Sequence, residues 1–147
     1  FFDWAAPRYG LLARRDAAYL TWRYLRRPDR PYAVYAVRRW GRLRGWGVFA
    51  GDPARLLWGD ALFDTEDPGA LEALLGAALE EAPGAGSIQA WFSPRPEWWS
   101  RLLDRCGFVS GAEPRGLSFC YKMFSRPDQE DALKKNLYYA WGDGDLF

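Results

Sequence analysis

Histidine is absent from all 147 residues. The commonest general base and the commonest metal ligand are therefore both missing. Hydrolases built on Ser-His-Asp or Cys-His pairs are excluded unless another chain supplies the histidine. The two cysteines, Cys106 and Cys120, make neither a disulfide framework nor a zinc spacing, and reduced thiols fit a cytoplasmic protein. What remains close enough in sequence to do chemistry is carboxylate and arginine. Asp64-Thr65-Glu66-Asp67 stands ahead of Pro68-Gly69, and Asp143-Gly144-Asp145 stands near the end. An Asp-Gly-Asp run can hold a hard cation, but two carboxylates make a weak site. No metal is expected, and a flexible acidic end is the simpler account. Arg39-Trp40-Gly41-Arg42-Leu43-Arg44-Gly45 offers glycines and arginines, but within a hairpin, whereas a phosphate loop lies between a strand and a helix.

A second group is aromatic and basic. The stretch Arg15 to Arg27 has the spacing of a helix. Ala13, Ala17, Leu20, Tyr24 and Leu25 form one apolar stripe, enough to join a core. Tyr19, Trp22, Arg23 and Arg26 form another, and this surplus aromatic-plus-arginine surface points to a partner outside the domain.

Charge is unevenly placed. Residues 1–50 hold eleven Arg against three Asp, a balance of +8, while the remainder carries −7, so the whole chain is only +1. The two parts can neutralise each other within one fold. The basic part with its interleaved aromatics could also meet nucleic acid. That reading ranks last, because an Ala/Gly/Arg-rich composition already accounts for the arginines. No apolar run approaches the roughly 20 residues that span a membrane. Nine tryptophans are many for this length, and their N–H groups predict half-buried positions at edges.

These residues must be held by an alternating chain. A helix over about 11–27 stops before Pro28. Tyr32–Val37 and Leu43–Ala50 read as a hairpin, and Arg55–Phe63 as a third strand. A helix over about 68–82 follows, with Thr65 or Asp67 as its cap and Pro68 in its first turn. Ser87–Phe92 is a fourth strand. Pro94–Cys106 is a helix closed by Gly107 in a left-handed turn, within which Trp98-Trp99 reads as core plus rim. Phe108 begins a short strand and Leu117–Phe124 forms the last. The order α-β-β-β-α-β-α-β-β predicts an α/β mixed sheet with helices on both faces. The chain reads as a single domain over 1–147, with its core at about 11–124 and a tail, 125–147, packing on it.

That order resembles the GNAT N-acetyltransferase superfamily. Leu102-Leu103-Asp104-Arg105-Cys106-Gly107-Phe108 is similar to the helix end that precedes the family's sixth strand. Tyr19–Tyr24 and Trp141-Gly142-Asp143-Gly144-Asp145 resemble a divergent bacterial subgroup in which such a domain is the C-terminal half of a longer protein. The resemblance implies transfer of an acyl group from acetyl-CoA or another acyl-CoA to an amine. It places the cofactor where the central strand gives way to a helix, at Thr65 and Gly69, and it makes Asp60 the proton-accepting carboxylate. The family's tyrosine acid has no counterpart in residues 93–107. The phosphate loop is degenerate, since its Arg/Gln and first Gly are missing, Pro68 has no N–H, and three carboxylates stand where phosphates would lie. The same resemblance supports an alternative: a non-catalytic module that associates with an N-terminal domain of the same protein, or with further copies, through Tyr19, Trp22, Arg23 and Arg26.

Overall fold

The strand-forming runs pair as their turn residues dictate. The computed structural model describes residues 1–28, 30–52, 54–112, 129–144 and 147. A short helix α1 (Phe2–Ala5) and a 3-10 turn lead to β1 (Leu11–Leu12) and α2 (Ala17–Leu20). Next come β2 (Tyr32–Arg39), β3 (Arg42–Asp52) and β4 (Arg55–Phe63), then α3 (Gly69–Glu80), β5 (Ile88–Ala90), α4 (Glu97–Arg105), α5 (Glu130–Asn136) and β6 (Leu137–Tyr138). The main sheet has the order β2-β3-β4-β5, antiparallel except for the parallel β4–β5 pair. β1 and β6 form a separate parallel pair. The chain is thus mixed α/β around a mixed four-stranded sheet. Among the described residues, no helix is long and apolar enough to cross a membrane.

A bulge organises the core. Val48 of β3 faces Asp60 and Phe49 faces Trp58, which leaves Gly59 as the extra residue of β4. The inserted residue shifts the strand's alternation. Trp58 stacks on Phe49 and meets Trp99 and Phe92 edge-on, while Asp60, two residues later, serves a polar cluster described below. A Cβ on Gly59 would lie 2.1 Å from the ring of Phe147, so only glycine admits that aromatic side chain.

Several expectations are corrected. The helix begins at Ala17, because the Asp16 side chain accepts the Tyr19 N–H at 2.9 Å and caps it there. It then widens into a π turn over Thr21–Leu25, where the Arg26 N–H reaches the Thr21 carbonyl. Wider winding moves residues off the 3.6-residue stripe. Tyr24 is buried, but Leu25 is 61% exposed and Ala17 is exposed, so the predicted apolar stripe does not all face the core. Neither Thr65 nor Asp67 caps α3 through its side chain; Pro68 stands at its N-cap. Phe108 lies outside any strand. The strand expected at Leu117–Phe124 lies outside the described residues, as do Cys120 and Asp145. Trp99 is fully buried with Trp98 at the rim, and Gly107 has φ +85°, both as expected. Of the nine tryptophans, Trp91 and Trp98 are half-buried, whereas Trp4, Trp22 and Trp40 are exposed.

Candidate functional site

Asp60 sits at the centre of the buried polar cluster. Its Oδ1 accepts from Arg15 Nε at 2.8 Å and from the Ala61 N–H at 2.9 Å, and its Oδ2 accepts from the Tyr24 hydroxyl at 2.8 Å. Arg15 is only 1% exposed, although arginine is seldom buried without a partner. Its Nη1 donates to the Ala13 carbonyl and its Nη2 pairs with Asp143, whose carboxylate also accepts the Ala140 N–H. Its guanidinium lies 5.3 Å from the centre of the Tyr138 ring. Asp143 is therefore tied into the fold, which corrects the picture of a flexible acidic end.

Charge in this cluster is set by burial and pairing. Burial pushes the Asp60 carboxyl up from the ordinary carboxylate range, against the pull of Arg15. Burial also opposes the Arg15 charge, but Asp60 and Asp143 outweigh it and hold the guanidinium protonated. Tyr24 is pushed far above the usual phenol value by burial and by Asp60. With no exposed surface and both oxygens engaged, Asp60 has no open path to an incoming amine.

The tail closes the space beside the end of β4. β5 pairs with β4 only as far as Trp58, and side chains then take over from strand neighbours. The Tyr138 hydroxyl donates to the Ala61 carbonyl at 3.1 Å. The Tyr9 hydroxyl accepts the Phe63 N–H at 2.7 Å and donates to the Phe63 carbonyl at 3.4 Å. Burial is the main reason that both phenols are raised well above their usual value. On the other side, the Ser93 N–H reaches the Tyr139 carbonyl, the Trp141 N–H reaches the Trp91 carbonyl, and Phe92 bridges to Ala140.

The β4–α3 junction holds Thr65 and Gly69, the residues expected to meet a cofactor. Its carboxylates are all paired. Asp64 meets Arg44 at 2.6 Å, Asp67 meets Arg39 at 2.8 Å, and Glu66 meets Arg8 at 3.1 Å. Three of its N–H groups are also in use: that of Glu66 donates to the Asp64 side chain, and those of Asp67 and Ala70 donate to the Asp64 and Asp67 carbonyls. A helix start attracts anions through free N–H groups, and here the chain's own oxygens take those of Glu66, Asp67 and Ala70.

The four residues of the aromatic and basic stripe separate into two groups. Arg23 turns inward and donates to the carbonyls of Gly142 at 3.1 Å and Gly144 at 2.5 Å. Tyr19 is half-buried, with its phenol raised by burial and by Asp60. Trp22, at 68% exposure, and Arg26 face solvent. Leu25, which was expected in the core, joins them there.

Two clefts open among the described residues. One, of about 1160 Å3, runs beside β5 between Leu75 of α3 and Leu103 of α4. The other, of about 430 Å3, is lined by Arg8, Arg95, Arg101 and Lys135, with Glu97 paired to Arg95 and Arg101. Among the described residues, no Cys, Asp and Glu side chains gather as a metal-ligand set. The sequence reading missed Arg15, Tyr9 and Tyr138 as site-building residues. The usable signal was Asp16 as a cap, which starts the helix after Arg15 and frees that side chain to turn inward. No protein-family model matches the chain, and no curated protein matches it.

Proposed function

We propose that this chain is a GNAT-like domain of the cytoplasm that has given up acyl-CoA binding and serves as a non-catalytic association module. One observation carries the reading: at the β4–α3 junction Asp64, Glu66 and Asp67 are each held by an arginine, in the loop where a pyrophosphate would have to lie. Two like charges 4 Å apart repel by about 1 kcal/mol in water and by several times that when partly desolvated. An acyl-CoA would have to displace three carboxylates and break their ion pairs. The enclosure of Asp60 by Arg15 and Tyr24 argues in the same direction.

The association surface is the solvent side of α2 and its π turn. Trp22 and Arg26 are of the types that dominate binding energy at interfaces, and Leu25 adds apolar area. Their mounting is firm, because the same turn is pinned from behind by Tyr24 to Asp60 and by Arg23 to the tail. Calorimetric titration with acetyl-CoA tests the reading. No saturable heat is expected up to millimolar ligand, either for the native chain or for Trp22→Ala/Arg26→Ala. Saturable binding at micromolar ligand, abolished by Gly69→Trp, would overturn it and restore acyl transfer as the function.

A further inference from the structure

β2 forms the outer strand of the main sheet, and among the described residues it pairs only with β3. Exposed edge strands are templates for pairing, and proteins protect them with lysines, prolines, bulges or short length. β2 is eight residues long, and Tyr32-Ala33-Val34-Tyr35-Ala36-Val37 contains no charge and no proline. The one irregularity in its pairing falls after this run, between Val37 and Arg38. Ala33, Val34 and Ala36 are exposed. At the tip of the hairpin Trp40 is 90% exposed and has φ +49°. A bulky residue seldom takes that left-handed conformation, so strain and apolar exposure coincide at one side chain.

We propose that the β2 edge pairs antiparallel with the β2 edge of a second copy of the chain, about a two-fold axis at Tyr35, so that the main sheets of the two copies become continuous. Charge decides the direction. Parallel pairing would set Arg38 against its own copy, and like charges opposite each other destabilise a sheet. Antiparallel pairing about Tyr35 sets Arg38 opposite the partner's Tyr32 and Arg39 opposite the partner's Pro31. Val37 then faces the partner's Ala33, Ala36 faces the partner's Val34, and Tyr35 faces itself. The register also brings Trp40 to the partner's Arg30, a cation with a ring to lie on. A two-fold interface must be complementary to itself, and this strand is, with one end cationic and the other aromatic. The surface is distinct from the Trp22 patch and stands independently of it.

Light scattering coupled to size separation, across a dilution series of the 147-residue chain, tests the proposal. A dimer is expected, weakened at least about tenfold by Val34→Lys, which places a charge mid-edge, and by Trp40→Ser. Trp40→Ser lies in solvent and keeps the test open if Val34→Lys unfolds the chain. Amide exchange at the alternate N–H groups of Tyr32–Val37 that face away from β3 should slow as concentration rises. A monomer at millimolar concentration would overturn the proposal. So would a dimer indifferent to both substitutions, or one lost only in Trp22→Ala/Arg26→Ala; that last result would leave the Trp22 association surface standing.

Discussion

Among the described residues, β4 beyond Trp58 and the outer edge of β2 both lack a neighbouring strand, and they are treated in opposite ways. Beyond Trp58, β4 has lost β5, yet Tyr138 and Tyr9 hydroxyls take its Ala61 and Phe63 groups and the tail packs over it. The outer edge of β2 has no such cover among the described residues. Buried backbone groups must be paired, so the first stretch could be enclosed only with a donor and an acceptor supplied by distant segments. The second can remain in water, or wait for a strand. The same sheet is thus closed where the resemblance would put a ligand and open where a copy could join.

Removing Arg15 should break the closed side most severely. Arg15→Ala leaves Asp60 as an uncompensated buried charge, and losing one partner of a buried pair costs about 3–5 kcal/mol. Urea unfolding should register that loss. Arg15→Ala/Asp60→Ala should cost clearly less than the sum of the two single changes, because the two side chains act as a pair.

Phe147→Ala should cost about 3 kcal/mol, as expected for a buried ring. Gly59→Ala drives a methyl into that ring and should cost about 1–3 kcal/mol. In the Phe147→Ala background the added cost of Gly59→Ala should largely vanish, which would locate the tail on β4.

Alkali should unfold the closed side through its phenols. Tyr9, Tyr24 and Tyr138 are raised above 10.0 in the folded chain. They are protonated in both states below that value, so their contribution is fully present there. Above it the unfolded phenols ionise first, and stability falls as pH rises. Three such groups give a slope of about 4 kcal/mol per pH unit. Tyr24→Phe should remove about a third of that slope, read from urea midpoints at successive pH values.

The open side should respond least in stability. Trp40→Gly relieves the left-handed strain and should raise monomer stability by up to about 1 kcal/mol, measured in dilute solution, even as it weakens self-association. A substitution that strengthens the fold while weakening the dimer would separate the two sides most clearly.

Strand alternation made much of the sheet legible. Arg55–Phe63 was read with the bounds it has, and the other strands of the hairpin are extended by one or two residues at their ends. Those strands alternate side chains against a local partner, so the signal is contained in neighbouring residues. The closed side was much less legible. Asp60 was singled out, but its partner Arg15 lies 45 residues earlier, on a stretch whose spacing suits a helix. Tyr138 belongs to a two-residue strand paired with Leu12, far away in sequence. A hydroxyl serving another strand's carbonyl leaves no periodic trace, and a π turn shifts the helical stripe without changing any residue type. Three carboxylates at the β4–α3 junction were visible as an obstacle, whereas the arginines that hold them come from β2, β3 and the N-terminal turn.

The most direct test of the closed side is amide exchange at Glu66, Asp67, Ala70, Ser93 and Trp141, with and without millimolar acetyl-CoA. The account predicts strong protection at all five, because each N–H is already bonded within the chain, and no change when the ligand is added. Fast exchange at the junction that slows on addition of acetyl-CoA would contradict it.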